Sequence, residues 1–416
     1  MLNIKSLVVF IIFGLSLFCG LLLGEDFTGG AKKDYEYLLP FINAFSQDFQ
    51  IGIKKYLGDY GALYHSPAFY ILNGYILRVS NDIFYTKILY LLISSSLPYI
   101  FYLMLKNKYK TNLNYIFYFS LLIFLSPYFR SSSMWLLGDN LSLIFLSLSI
   151  LFYIKTKEEK KILNYYLSFL FLIFCCYIRY HYVVLSIYFL IYYYRDLNLK
   201  SYILLNFFCF LLSIPAIYYF FYIIKNTEII WLLSAATGDF NYYNSSILIL
   251  SIFLFYLIPF VFLEISNIFK FFKKKYKNFS LIIFIILFIY ILDKNNLVNL
   301  IEFSHYGGGI FVKISKIISI ETELFISILS IISIVILDYV FQNNRKENYL
   351  LLILLILCFP VYTIFQKYFD PLFLIFFFTL INSDYLKDIF SKKKLSLALC
   401  YSYFLSFLLI SSLYYS

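Results

Sequence analysis

Blocks of consecutive apolar residues, each about 15 to 23 residues long, recur along this chain and constrain its fold more than any other feature. As helices, blocks of that length cross a hydrocarbon layer about 30 Å thick. They must be helical there, because lipid offers no partner to unpaired backbone N–H and C=O groups. Only 14% of the 416 residues are charged, whereas a soluble domain carries roughly 25%. The sequence therefore predicts an all-α, polytopic transmembrane helical bundle.

The apolar blocks predict about 11 to 13 helices in one integral-membrane domain, residues 1–416, with no separate soluble domain. The first block is predicted to be a retained span, because it continues beyond Cys19 with no small-residue cleavage site. A long loop, 25–83, follows, and its apolar segment 67–79 is predicted to form an interfacial helix. The predicted spans are 5–24, 84–105, 113–129, 138–154, 162–178, 182–194, 201–223, 246–265, 279–292, 321–341, 349–365, 371–382 and 395–414.

The net charge of +11 would suggest a nucleic-acid partner in a soluble protein, but the placement of the basic residues indicates membrane topology instead. Seven short segments at alternate ends of the predicted spans hold 21 of the 34 lysines and arginines. Because basic loops stay in the cytoplasm, the N-terminus is predicted inside and loop 25–83 outside. The expected surroundings are therefore a lipid bilayer, with no nucleic acid.

The sequence GGAKKDYEYLLPF, 29–41, carries two candidate catalytic carboxylates, Asp34 and Glu36, just after the first span. On one helix they point about 200° apart, so only one could face a given site. Partial desolvation at the membrane boundary would raise the pKa of either carboxyl and make it a base, and Asp34 is the favoured one. The alternative is that Asp34 caps a helix beginning at Tyr35.

In that alternative, the apolar face of this first-loop helix would lie on the membrane surface; its members would be Tyr37, Leu38, Phe41 and Phe45. The same loop ends in YHSPAFYIL, where Pro67 predicts a helix start. His65, which precedes that start, is either a cap or interfacial residue or a contact to substrate.

Two further interrupted helices carry candidate binding residues. In SPYFRSSSMWLLGDNLSL, Arg130 and Asp139 flank Trp135; Asp139 either stabilises a helix N-terminus or contacts a substrate hydroxyl. In CCYIRYHYVV, Arg179 and His181 lie between two apolar runs, where ionisable groups usually face a bundle interior or a wet cavity. The Arg179 guanidinium would suit a phosphate, which it can bind with two parallel hydrogen bonds.

Two late segments resemble these in charge and placement. EFSHYGGGIFVKISK contains His305 and three consecutive glycines, which allow close backbone approach to a ligand but also simple flexibility. PVYTIFQKYFDPLFLIFFF contains Lys367 and Asp370, which either pair with each other or contribute to binding. All candidate residues fall on the extracytoplasmic side under the topology predicted above.

These motifs resemble those of the GT-C superfamily of integral-membrane glycosyltransferases. The segment DYE, 34–36, is similar to their acidic DxE motif, and HSPAFYIL is similar to their His-Pro-Pro-aromatic segment, with Ser66 in place of the first proline. MWLLGDNLSLIFLSLS, IRYHYVVL and QKYFDPLFLIF resemble segments of the dolichyl-phosphate-glucose alpha-1,2-glucosyltransferases. Gly138, Tyr180 and Lys367 stand where that subfamily has threonine, glutamine and arginine.

The resemblance implies a hexosyltransferase that moves a sugar from a polyprenyl-phosphate donor to a glycan, lipid or protein hydroxyl, with inversion. It implies Asp34 or Glu36 as the base and Arg179, with Lys367 or His181, as the group that stabilises the departing phosphate. A divalent metal is compatible with this reaction and not required by any motif. The expected location is a bacterial inner membrane with a periplasmic active site. The alternatives are a polymerase or ligase of lipid-linked surface polysaccharide and a flippase for a lipid-linked sugar.

Overall fold

The computed structural model describes residues 4–59, 66–225, 242–303, 308–360, 364–392 and 395–415. Within these ranges the chain is helical, with turns between the helices and no β-strand. Seven helical stretches are long and apolar enough to cross a membrane, and three shorter apolar helices accompany them. The predicted all-α architecture is therefore confirmed for the described residues. The seven apolar stretches agree with a polytopic bundle. The predicted number of about 11 to 13 helices stays a prediction.

The helices pack into two compact units, one formed by residues 1–233 with 401–416 and the other by residues 234–400. Whether the protein is the single domain predicted from its sequence stays a prediction. The first unit contains α1 (Ile4–Leu23), α2 (Ala31–Gln47), α3 (Phe49–Leu57), α4 (Pro67–Ser80), α5 (Ile83–Ser94), α6 (Ser96–Tyr109), α7 (Leu113–Ser120), α8 (Pro127–Met134), α9 (Gly138–Glu159), α10 (Ile162–Ile178), α11 (Ser186–Asp196) and α12 (Leu199–Lys225).

The second unit contains shorter helices between its candidate spans. Its elements are α13 (Tyr242–Val261), α14 (Ile265–Lys274), α15 (Tyr276–Phe303), α16 (Ile310–Ile317), α17 (Thr322–Val340), α18 (Arg345–Leu357), α19 (Leu372–Thr379) and α20 (Asp384–Ser391). The last helix, α21 (Leu397–Tyr415), contributes its residues from 401 onward to the first unit. Short 3-10 turns at 121–125, 180–185, 262–264 and 366–368 link several of these helices.

Helix α2 begins at Ala31, so the prediction that Asp34 caps a helix starting at Tyr35 is wrong. Asp26 supplies the cap instead: its carboxylate accepts the backbone N–H groups of Ala31 at 3.3 Å and Lys32 at 3.1 Å. The turn between them contains Gly29 at φ +68°, a left-handed conformation that suits glycine. Asp34 therefore lies in the first turn of the helix.

The apolar face of α2 packs inside the first unit, which corrects the expectation that this face lies on the membrane surface. Leu38, Phe41 and Phe45 are buried, whereas Tyr37 is exposed. The partner is α4, the predicted interfacial helix, which begins at Pro67 with Ser66 as its cap. Gly74 of α4 allows this contact, because a Cβ there would lie 2.6 Å from the Cβ of Phe45 and 3.0 Å from backbone atoms.

A buried ion pair joins the end of α1 to α8. The Nε and one terminal nitrogen of Arg130 each donate to a carboxylate oxygen of Glu25 at 2.7 Å. The terminal nitrogens also donate to the hydroxyl and carbonyl oxygens of Ser16, both at 3.1 Å. The Trp135 indole N–H donates to the Glu25 carbonyl at 2.7 Å. Both charged side chains are at least nine-tenths buried, so each needs the other as a partner.

We expect Glu25→Gln or Arg130→Met to lower the free energy of unfolding by about 3 to 5 kcal/mol, because each leaves a buried charge without its partner. The double variant should lose less than the sum of the two single variants. Thermal unfolding of the purified protein in detergent, followed by tryptophan fluorescence, measures this.

Lys110→Gln is the matched control, since it breaks an exposed pair with Glu158 that should contribute less than about 1 kcal/mol. Equal losses from Lys110→Gln and Arg130→Met would contradict a special role for the buried pair.

Candidate functional site

Asp139 and Arg179, two candidates from separate sequence motifs, form an ion pair in the first unit. The carboxylate oxygen Oδ1 lies 2.9 Å from a terminal guanidinium nitrogen, and the side chains keep 28% and 22% of their surface exposed. Asp139 lies in the first turn of α9, as predicted. Helix α10 ends at Ile178, and Arg179, the next residue, has an extended conformation. A 3-10 turn begins directly after it, at Tyr180. The interruption predicted at CCYIRYHYVV is therefore confirmed.

Gly138 explains how the three helices around this pair come close together. A Cβ at this position would lie 3.3 Å from the Phe69 ring of α4 and 3.4 Å from Ile178 of α10. Both distances are shorter than most Cβ contacts, so a larger side chain would push α4 or α10 away from the start of α9. Glycine at position 138 thus allows a tight junction beside Asp139 and Arg179.

Four tyrosines from the first loop and the neighbouring helices lie close together, and one of them, Tyr70, is within electrostatic range of Arg179. The Tyr37 hydroxyl donates to Asp59 at 2.9 Å, and the hydroxyls of Tyr56 and Tyr219 lie 2.5 Å apart. Tyr70 packs its ring against Phe41 and Tyr56, with centroids 5.4 and 5.6 Å away. Its hydroxyl is fully buried, and among the described residues no atom forms a hydrogen bond with it.

The Tyr70 hydroxyl lies within electrostatic range of Arg179 and of Asp59. Burial raises the pKa of Tyr70 well above its ordinary value; Asp59 raises it further, while the Arg179 cation lowers it. Burial, the hydrogen bond to Asp59 and the Asp59 charge together raise the pKa of Tyr37 to about 12. Both phenols therefore remain protonated at neutral pH. The Tyr37 O–H already donates to Asp59, so Tyr70 is the phenol that could donate to an anionic ligand.

His181 lies in the 3-10 turn that follows Arg179. Its ring is only partly accessible, and desolvation together with the Arg179 cation lowers its pKa to about 3, although Asp139 opposes the shift. The imidazole is therefore neutral at pH 7. It can serve as a hydrogen-bond partner, but it does not supply the second cation that the sequence suggested beside Arg179.

The lowered pKa of His181 makes stability depend on pH. Between about pH 3 and 6.5 the unfolded chain binds a proton at this residue and the folded protein does not, so stability falls as the pH falls through that window. We expect His181→Gln to reduce this acid sensitivity. The measurement is the difference in unfolding midpoint between pH 7 and pH 4.5 for the two proteins; an unchanged difference would contradict it.

Asp34 and Glu36, the predicted catalytic carboxylates, are both exposed on α2. Glu36 lines a shallow surface depression with Asn43 and Lys55. Their predicted role as a base depended on partial desolvation, and these exposed positions do not provide it. Arg130 is held by the buried pair with Glu25, an arrangement that favours a structural role over a contact to a lipid phosphate.

The remaining candidates lie elsewhere. His65 and His305 are outside the described residues. Lys367 belongs to the second unit, where its ammonium lies 5.2 Å from the Phe365 ring centroid. The neighbouring Gln366 accepts the Ile310 backbone N–H at 2.8 Å and donates to the Tyr256 hydroxyl at 3.2 Å. This amide fixes the start of α16 directly after the glycine segment.

Sequence reasoning missed Asp59, Tyr70 and Glu25. Tyr70 is one of 44 tyrosines in the chain, so its residue type carried no signal. Asp59 could have been noticed as a carboxylate in the first loop after the short helix α3, which ends at Leu57. In the described part of the chain no group of three or more His, Cys, Asp or Glu side chains could hold a metal ion.

Comparison with known proteins gives no match: no family model fits the chain, and no curated protein or solved structure shows significant similarity to it.

Proposed function

We propose that the protein is a membrane hexosyltransferase that moves a sugar from a polyprenyl-phosphate donor to an acceptor hydroxyl. The observation that carries the proposal is the partly exposed pair of Arg179 and Asp139, placed at helix ends beside the first-loop helix α4. A guanidinium at that depth suits the phosphate of a membrane-embedded lipid. The charge bias of the loops favours an extracytoplasmic site, and we propose a bacterial inner membrane as the location.

Arg179 would bind the lipid phosphate, with Asp139 as the residue that orients it. Asp139 forms an ion pair with one terminal nitrogen at 2.9 Å, and a planar guanidinium can bind two oxygens of a phosphate at once. As the bond between the anomeric carbon and the phosphate oxygen breaks, its electron pair passes to the phosphate. The Arg179 cation stabilises the negative charge that grows there.

The base must lie on the other side of the anomeric carbon, because direct displacement brings the acceptor oxygen in opposite the departing phosphate. Asp139 is poorly placed for this, since it lies on the phosphate side within 2.9 Å of Arg179. Asp59 is the carboxylate that shares Tyr70 as a neighbour with Arg179. It is our candidate to take the acceptor proton as the new glycosidic bond forms. Asp34 and Glu36 remain the candidates predicted from sequence.

Transfer assays with purified full-length protein, radiolabelled polyprenyl-phosphate sugars and a panel of acceptors test this assignment. We expect Arg179→Ala and Asp59→Asn to lower transfer by about 100-fold or more, since each removes a group that acts in the transition state. Asp34→Asn and Glu36→Gln should stay close to the parent, because both carboxylates are exposed.

Thermal midpoints of all variants identify losses caused by misfolding, and Glu158→Gln is the control for removal of one carboxylate elsewhere in the first unit. If Asp34→Asn or Glu36→Gln lost transfer while Asp59→Asn kept full activity, the base would be the α2 carboxylate whose variant lost transfer, not Asp59. Full activity in Arg179→Ala would reject the proposed phosphate site.

Tyr70→Phe tests whether the buried hydroxyl contacts the donor. The substitution removes one oxygen and keeps the ring that packs on Phe41 and Tyr56. If the hydroxyl donates to a phosphate or sugar oxygen, polyprenyl-phosphate binding should weaken roughly tenfold, while the unfolding midpoint should not fall.

Tyr56→Phe is the matched control, because the Tyr56 hydroxyl is paired within the protein to Tyr219. It should lower the unfolding midpoint and leave lipid binding unchanged. Tyr70→Phe protein that binds the lipid as the parent does would exclude the hydroxyl from the site.

A further inference from the structure

Helix α14 continues a membrane span beyond the length that a bilayer requires. Together α13, the 3-10 turn 262–264 and α14 form one helical stretch of 33 residues, Tyr242–Lys274, which contains a candidate membrane span. A helix crosses the hydrocarbon core in about 20 residues, and α13 alone has 20. Helix α14 therefore begins where the hydrocarbon core ends, at the depth of the lipid head groups.

The side chains of α14 separate into three zones around the helix. Ile268 is buried, and the Phe271 ring packs on Phe279 and Tyr339 with centroids 6.0 and 5.5 Å away. We call the side of the helix that carries Ile268 and Phe271 the packed seam. With 100° of rotation per residue, Ile265 and Phe269 lie next to this seam, and they are 55% and 56% exposed.

The third zone is basic. Lys270, Lys273 and Lys274 are all exposed and lie beyond Phe269, on the side away from the packed seam. Lys273 extends over the Phe269 ring, with its ammonium 4.7 Å from the centroid. An apolar edge thus lies between the packed seam and the lysines, which is the pattern of helices that lie in a membrane interface.

Within the described residues, no acidic side chain forms an ion pair with any of these three lysines, although ion pairs are formed by several other lysines. The neighbouring Lys275 lies 3.8 Å from Asp338. In the first unit, Lys110, Lys160 and Lys161 lie 3.0, 3.6 and 2.9 Å from Glu158, Asp196 and Glu159 respectively. The positive charge of α14 is therefore not neutralised by nearby carboxylates.

We infer that α14 is a binding site for anionic lipid head groups of the adjacent leaflet. Ile265 and Phe269 enter the boundary between head groups and acyl chains, and the lysines bind lipid phosphates. Each lysine near an anionic membrane surface contributes about 1 kcal/mol of attraction, or roughly fivefold in affinity. The site is independent of the proposed transferase reaction.

Native mass spectrometry of the full-length protein, titrated in detergent with phosphatidylglycerol or phosphatidylcholine, tests the inference. We expect the parent to bind phosphatidylglycerol preferentially, and the triple variant Lys270→Gln, Lys273→Gln, Lys274→Gln to lose about tenfold or more of that preference. The matched control is Lys110→Gln, Lys160→Gln, Lys161→Gln, which removes the same charge from lysines that carboxylates already neutralise. Equal losses from both triple variants, or no loss from the first, would overturn the proposal.

A second variant tests the depth of α14 without removing charge. Phe269→Trp adds an indole to the exposed apolar edge, and lipids brominated near the top of their acyl chains should quench its added fluorescence in vesicles. The parent protein, measured in parallel, gives the contribution of its two native tryptophans. Absence of additional quenching would place this edge in water and overturn the interfacial site.

Discussion

The buried pair of Glu25 and Arg130 is the interaction on which the first-loop end of the first unit depends. Its carboxylate lies at the exit of α1, and its guanidinium lies on α8. From Glu25 the contacts continue to Trp135 through the indole N–H. Trp135 and Tyr35 in turn enclose the Lys87 ammonium, 4.1 and 4.2 Å from their ring centroids. Helices α1, α2, α5 and α8 are thus connected by one chain of charged and aromatic contacts.

Gly20 lies in α1 at the point where the Glu25 carboxylate turns back toward that helix. A Cβ at Gly20 would lie 2.4 Å from Glu25 Oε2 and 2.4 Å from the Met134 side chain. A larger residue here would displace the Glu25 carboxylate or the Met134 side chain, so glycine lets both pack closely against α1. The position of loop 25–83 relative to the bundle therefore depends on a residue inside the first span as well as on the loop itself.

The two outer arginines of the first unit show why sequence alone could not separate structure from function. Arg130 and Arg179 both lie at ends of apolar runs, and both have a carboxylate partner. The difference between them is burial. All three nitrogens of Arg130 donate to Glu25 or Ser16 in a site less than a tenth exposed. The Arg179 side chain is about three times more exposed.

What the sequence could predict follows from local physics. Apolar blocks, Pro67 and Asp139 marked helices and helix starts, because each acts on its immediate neighbours along the chain. The start of α2 was missed because Asp26 caps it across a turn that contains Gly29. The pairing of Glu25 with Arg130 spans 105 positions, and no periodicity encodes such a contact.

The distribution of paired and unpaired charge links topology to the proposed chemistry. Arg130 is buried and Arg179 is partly buried, and each forms an ion pair with a carboxylate. Under the proposed function, a lipid phosphate would share Arg179 with Asp139. The lysines of α14 remain exposed and need no such partner, because water and lipid phosphates solvate them. In the proposed lipid site, the positive charge of these lysines therefore lies at the membrane surface without a carboxylate partner. The proposed phosphate site lies instead where the Arg179 guanidinium is partly buried and paired with Asp139.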